Sequence, residues 1–222
     1  MSLSADSLPL KSPLISVELE GQLKSVLAPV SGNVTLTCIA DDGDKSLEMA
    51  IFLKHLASLS EHLAFKLLAP GEDPAADAVL DPAYLPATGF FTDRGFERMV
   101  FHGVPGGREM NSFAMALLTA GGAAKPLDKP TLKDIARIKG PVRADVCVSL
   151  TCSHCAKTVM NAQRVAYENE AVSVHMIDAN LYPALVEQYK IERVPIMIAA
   201  GKIVGAGEMT MPEICTALRK LK

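Results

Sequence analysis

Two stretches of this 222-residue chain repeat one order of elements, and the repeat limits the fold more than any other feature. In the later stretch, TLKDIARIKG places Leu132, Ile135 and Ile138 at helical spacing, and Gly140-Pro141 stops the helix. VRADVCVSL alternates and is rich in β-branched residues, which predicts a strand. A helix is expected over residues 153–169, with Val159, Ala162, Val165 and Ala166 as its apolar stripe. AVSVHMIDA reads as a strand, YPALVEQYK as a helix, and VPIMIAAGKIVGAG as two strands turning at Ala200-Gly201-Lys202. MPEICTALRKLK closes with a helix whose Pro212 lies near its first turn.

The earlier stretch has the same order. SVELEGQLKSVL predicts an amphipathic helix, NVTLTCIA a strand, DDGDKSLEMAIFLKHLASL a loop entering a helix, and LAFKLL a short strand. A Pro/Ala/Asp-rich loop over 69–83 precedes LPATGFFT and FERMVFHGV, two strands joined at Asp93-Arg94-Gly95, and SFAMALLTA is the last helix. Such repetition implies an internal duplication, and its period of roughly 100 residues is too long for a solenoid. Strands interleaved with helices predict α/β lobes with mixed central sheets. TAGGAAKPLDKP (119–130) reads as the linker, giving lobes at 14–123 and 124–222.

Composition removes several function classes. Apolar residues form 49% and charged residues 21%, ordinary for a globular protein, and no apolar run reaches about 18 residues. MSLSADSLPLKSPL has neither a basic leader nor a long apolar segment, and five irregularly placed cysteines do not make a disulfide scaffold. A cytoplasmic protein with one purposeful cysteine pair is the expectation. Residues 1–124 hold 8 basic and 15 acidic side chains, net −7, whereas 125–222 hold 14 and 10, net +4. That asymmetry is scatter between lobes, or a basic lobe that lowers a thiol pKa and draws acidic partners. Neither half carries the clustered Lys/Arg with interleaved aromatics of a nucleic-acid surface, and no membrane partner is expected.

The chemistry lies in SLTCSHCAKTV, where Cys152 and Cys155 sit two residues apart at a strand-to-helix junction. The spacing serves disulfide exchange or a soft metal. For exchange, a strand ending at Cys152 puts that thiol at a helix N-terminus, where free N–H groups and the helix dipole favour the thiolate. Cys155, one turn along, would resolve the mixed disulfide, and a partly charged His154 would stabilise the thiolate. For metal, the loop is similar to the Thr-Cys-x-x-Cys of copper domains, but Leu150 stands where those usually have Met. Zinc needs two more ligands, and Cys147 is the nearest other candidate. Cys38, Cys147 and Cys215 read as buried apolar-site thiols. A third possibility is a scaffold that docks partners and is indifferent to its thiols.

Val194-Pro195, some 40 residues on at a strand start, with Ile177-Asp178, Tyr189-x-Ile191 and Gly201-Lys202 in order, resembles the thioredoxin superfamily. That resemblance implies a cis Pro195 facing the pair, with the Val194 backbone presented to a substrate strand. The whole of 14–222 is similar to the N-terminal domain of the bacterial alkyl hydroperoxide reductase F subunit. The likeness includes LTCIADDGDKSLEM in place of the missing motif and GGREMNSFAMALLTAGG at the end of the first lobe. It implies two tandem thioredoxin-like folds, only the second with Cys-x-x-Cys, and a Pro86 equivalent to Pro195. It also implies that Glu109, in Gly107-Arg108-Glu109-Met110, reaches the pair as a proton acceptor. The family's pair usually reads Cys-His-Asn-Cys, so Ser153-His154 is a departure that bears on the potential.

Function follows as an expectation: Cys152 and Cys155 pass electrons from a flavoprotein disulfide reductase to a protein disulfide, that of a peroxiredoxin. No Gly-x-Gly-x-x-Gly follows a strand, so no cofactor site is expected in this chain. FAD and NAD(P)H are expected on a partner or on a further domain.

Overall fold

The structure is a computed structural model that describes residues 3–221. After a 3₁₀ turn at Ala5–Ser7, the elements run α1 (Val17–Leu27), β1 (Val34–Ile39), α2 (Asp44–Ala57), β2 (Leu63–Leu68), α3 (Pro74–Leu80), β3 (Ala87–Thr92), β4 (Gly95–His102) and α4 (Glu109–Ala120). They continue with α5 (Lys129–Ile135), β5 (Val142–Val148), α6 (Cys155–Glu168), β6 (Val172–Asp178), α7 (Pro183–Tyr189), β7 (Ile196–Ala199), β8 (Lys202–Ala206) and α8 (Met211–Arg219). Among the described residues no helix is long and apolar enough to cross a membrane. The chain gathers into two compact units. The first takes residues up to Glu97 with Phe101–Val104 and Leu117–Ala124; the second takes Arg98–Val100, Pro105–Ala116 and everything from Lys125.

In the first unit β1 pairs parallel with β2 and antiparallel with β3, and β4 continues the sheet in the order β2-β1-β3-β4. The apolar face of α2, with Met49, Ala50, Phe52, Leu53 and Leu56, is buried. Lys54 and His55 in its last turn complement the dipole. The loop entering α2 is closed by a carboxylate. Asp41 accepts from Ser46 Oγ at 2.6 Å and from Gly43 N at 3.0 Å. Those two bonds hold the Asp41 carboxyl below its usual range.

The 69–83 segment departs from expectation, because Pro74–Leu80 is helical. Its Asp-Pro dipeptide acts as a helix start: Asp73 accepts from Ala75 N and Ala76 N, and Pro74 takes a position that needs no N–H. Ala76 and Leu80 are then buried.

In the second unit β5 pairs parallel with β6 and antiparallel with β7, and β7 pairs antiparallel with β8, giving the order β6-β5-β7-β8. The stripe predicted for α6 is the buried one: Val159, Ala162, Val165 and Ala166 are all fully inaccessible. Burying each valine contributes about 1.5–3 kcal/mol. The β7–β8 hairpin turns on Ala200 and Gly201, both with positive φ, the backbone of a tight two-residue turn. A capping box, Thr210 with Glu213, starts α8.

Two boundaries shift, and one residue of a predicted stripe is exposed. Lys129 and Pro130, read as linker, begin α5, because Asp128 caps it by accepting from Thr131 N at 2.7 Å. Leu132, expected in the apolar stripe, is exposed, while Ile135 and Ile138 are buried. The last helix of the earlier stretch opens at Glu109 rather than Ser112.

Candidate functional site

The cysteines lie where β5 runs out. Strand structure ends at Val148, the Cys152 amide donates to the Ser149 carbonyl at 2.9 Å, and helix begins only at Cys155. The sequence placed Cys152 at the helix start with Cys155 one turn along. Instead Cys155 is the first helical residue and Cys152 sits in the turn before it, since the Ser149–Cys152 bond occupies the residues that would have begun the helix. Cys152 lies just before the start of α6, where His154 makes no side-chain capping bond. The two are joined as a disulfide with Cα atoms 5.6 Å apart. Cys155 is fully buried and Cys152 half-buried, so Cys152 is the more accessible of the two.

Val194-Pro195 is cis, and the Val194 carbonyl stands 3.8 Å from Cys152 Sγ. Beyond it, Gly207 N donates to the Pro195 carbonyl at 2.9 Å. Leu85-Pro86 in the first unit is also cis, and Gly103 N donates to the Pro86 carbonyl at 3.0 Å. One backbone arrangement therefore recurs in each unit, with the Cys152–Cys155 pair beside only one of them. A third cis bond, Gly140-Pro141, has no counterpart in the sequence reading.

Glu109 packs within the second unit, although its position in the sequence assigns it to 14–123. The segment before it is pressed against the cysteine loop, with Arg108 N donating to the Leu150 carbonyl at 3.0 Å. Gly107 is required there: its φ is +54°, and a Cβ would lie 2.4 Å from the Leu150 oxygen. Glu109 itself is fully buried. Ser112 Oγ donates to its Oε2 at 2.5 Å, and Oε1 has no hydrogen-bond partner among the described residues. Burial pushes its carboxyl up to about 7; the Ser112 bond opposes the rise and the nearby Asp178 charge adds to it.

Sequence reasoning gives no role to Asp178, the last residue of β6. It is buried and accepts from Asn180 N at 3.1 Å and Asn180 Nδ2 at 3.0 Å. The available signal is an acid closing an otherwise apolar strand. His154, just before the first turn of α6, is exposed and its Nδ1 lies 3.0 Å from Glu208 Oε2. No local pattern points to Glu208. The other thiols are inert: burial raises Cys38 and Cys147 to about 12 and Cys215 to about 11. Among the described residues no group of three or more His, Cys, Asp or Glu side chains is placed to hold a metal.

A disulfide at the end of a strand, opening a helix and facing a cis-proline, is the arrangement of a thioredoxin fold, and residues 142–219 match the thioredoxin domain family. Over 91% of its length the chain superposes on the F subunit of alkyl hydroperoxide reductase of Enterococcus faecalis, at TM-score 0.85 and 31% identity, covering 98% of that solved chain. It is 29% identical over 201 residues to the F subunit of alkyl hydroperoxide reductase of Pseudomonas putida, and 26% identical over 203 residues to an NADH dehydrogenase of Bacillus subtilis. Each alignment covers 90% of this chain but 36% and 37% of the relative, so the chain spans little more than a third of those curated relatives. The chain belongs to the family of alkyl hydroperoxide reductase F subunits, as two tandem thioredoxin-like folds with the cysteine pair in the second.

Proposed function

We propose that this chain is a protein dithiol–disulfide oxidoreductase that carries electrons from a flavoprotein disulfide reductase to a disulfide in a peroxiredoxin. The observation that carries the reading is the half-buried Cys152, disulfide-bonded to buried Cys155 and facing the Val194 carbonyl. The names of its relatives, an alkyl hydroperoxide reductase and an NADH dehydrogenase, support a path from reduced nicotinamide to peroxide. FAD and NAD(P)H belong to a separate domain or protein: no glycine-rich phosphate loop follows a strand in this sequence. A cytoplasmic setting fits such a partner.

In the reduced state the Cys152 thiolate attacks one sulfur of the substrate disulfide, and the other substrate sulfur leaves as a thiolate. Extended substrate backbone lies along Val194-Pro195. Cys155 must then lose its proton, and Glu109 accepts it, since a buried carboxyl near 7 is half ionised at neutral pH. The Cys155 thiolate attacks Cys152, the Cys152–Cys155 bond forms, and the substrate leaves with both sulfurs reduced. Two electrons have moved from the dithiol to the substrate; one of its sulfur atoms takes the proton held by Glu109, and the other takes from solvent the proton that Cys152 gave up on becoming a thiolate. His154 stabilises the Cys152 thiolate.

The test uses chain reduced with dithiothreitol, desalted, and mixed with an oxidised peroxiredoxin of the alkyl hydroperoxide reductase type. Mass-shift labelling should show Cys152 and Cys155 lost as thiols while two appear on the peroxiredoxin. Cys152→Ser should abolish the transfer. Failure of the wild-type chain to exchange with the peroxiredoxin or with a small disulfide would overturn the proposal.

A further inference from the structure

Glu208 stands out because three backbone clamps fix it beside the reacting groups. Gly207, before it, donates its amide to the carbonyl of Pro195. Met209, after it, donates to Thr158 Oγ1 at 3.0 Å and accepts from Asn161 Nδ2 at 2.8 Å, both on α6. The short loop between β8 and α8 is thus tied at one end to the proline facing Cys152 and at the other to the helix that begins with Cys155. Between the ties, Glu208 Oε2 meets His154 Nδ1 at 3.0 Å and Oε1 meets Lys157 Nζ at 2.5 Å.

We propose that Glu208 is a positioning residue of the dithiol site, holding the His154 ring in one orientation so that it stabilises the Cys152 thiolate. Two physical points carry this. A carboxylate against Nδ1 fixes the orientation of the ring, the same logic by which a carboxylate orients a histidine in a catalytic triad. The carboxylate is also kept charged: the bond to Lys157, then that to His154, hold its carboxyl below the usual range. The charged group against His154 is Glu208 from the loop, and Lys157 acts through Glu208.

The inference rests on the exchange chemistry proposed above, and the two fail differently. The measurement is the rate of Cys152 alkylation by iodoacetamide from pH 4 to 9 in reduced full-length chain. Four proteins are compared: wild type, Glu208→Gln, His154→Ala and the double variant. An exposed ion pair of this kind changes an equilibrium by about two- to five-fold. Glu208→Gln should therefore shift the thiolate titration upward and slow alkylation near pH 6–7 by about that factor. In the His154→Ala background it should change nothing. An unchanged profile, a faster rate, or an equal effect with and without His154 overturns the role of Glu208. If wild-type Cys152 does not react as a thiolate at all, it is the exchange reading that falls.

Discussion

Replacing Glu109 by glutamine should stabilise the protein, and only at high pH. The side chain is fully buried, with one oxygen bonded to Ser112 and the other unpartnered, and its carboxyl is raised from 4.5 to about 7. Below pH 4.5 the group is protonated in folded and unfolded chains alike. Between 4.5 and 7 the folded protein holds a proton that the unfolded chain has lost, so stability falls as pH rises through that window. Above 7 the whole cost is present, and a carboxyl moved from 4.5 to about 7 corresponds to about 3 kcal/mol. Glutamine keeps the shape and the acceptor for Ser112 but has nothing to ionise. Urea unfolding of the oxidised protein, followed by circular dichroism, should show little difference between Glu109→Gln and wild type at pH 4.5. At pH 8.5 the variant midpoint should lie higher by about 1 M or more. An equal difference at the two pH values would refute the assignment of a raised carboxyl to this position.

The same variant should slow the resolving step. With the proposed proton acceptor gone, decay of the mixed disulfide at pH 7 should fall by about 10²-fold, as read by quenched-flow labelling. Cys155→Ser should accumulate a mixed disulfide between Cys152 and the peroxiredoxin, visible on a non-reducing gel, whereas Cys152→Ser should give none. Gly107→Ala sets a Cβ against the Leu150 carbonyl in a left-handed backbone and should cost about 1–3 kcal/mol, measured by urea midpoint. In native reduced protein a thiol reagent should modify Cys152 fastest, with Cys38, Cys147 and Cys215 reacting only on unfolding.

What could be read ahead of the structure was whatever short-range pattern encodes. The α6 stripe, the β7–β8 turn and the pairing of Cys-x-x-Cys with Val194-Pro195 all rest on neighbours within a few residues, or on spacing that resemblance supplies. The α3 helix escapes such a reading because Asp73-Pro74 serves equally as a turn and as a cap, and only burial of Ala76 and Leu80 decides between them. Leu132 misleads because its spacing matches a stripe whose buried face is set by Ile135 and Ile138. The exact start of α6 depends on one backbone bond, Cys152 to Ser149. Residues that meet across long stretches carry no local signal at all: Arg108 with Leu150, Glu109 with Asp178, and Glu208 with His154.

The Asp41 closure of the first unit has its own consequence. The loop entering α6 changes its covalent bonding each time the pair is oxidised or reduced. The loop entering α2 has no such cycle, because its turn is held by a carboxylate bonded to Ser46 and Gly43. A reductant is therefore invisible to one half of the duplication. The first half is a frame whose loop closure answers to acid and not to electron supply.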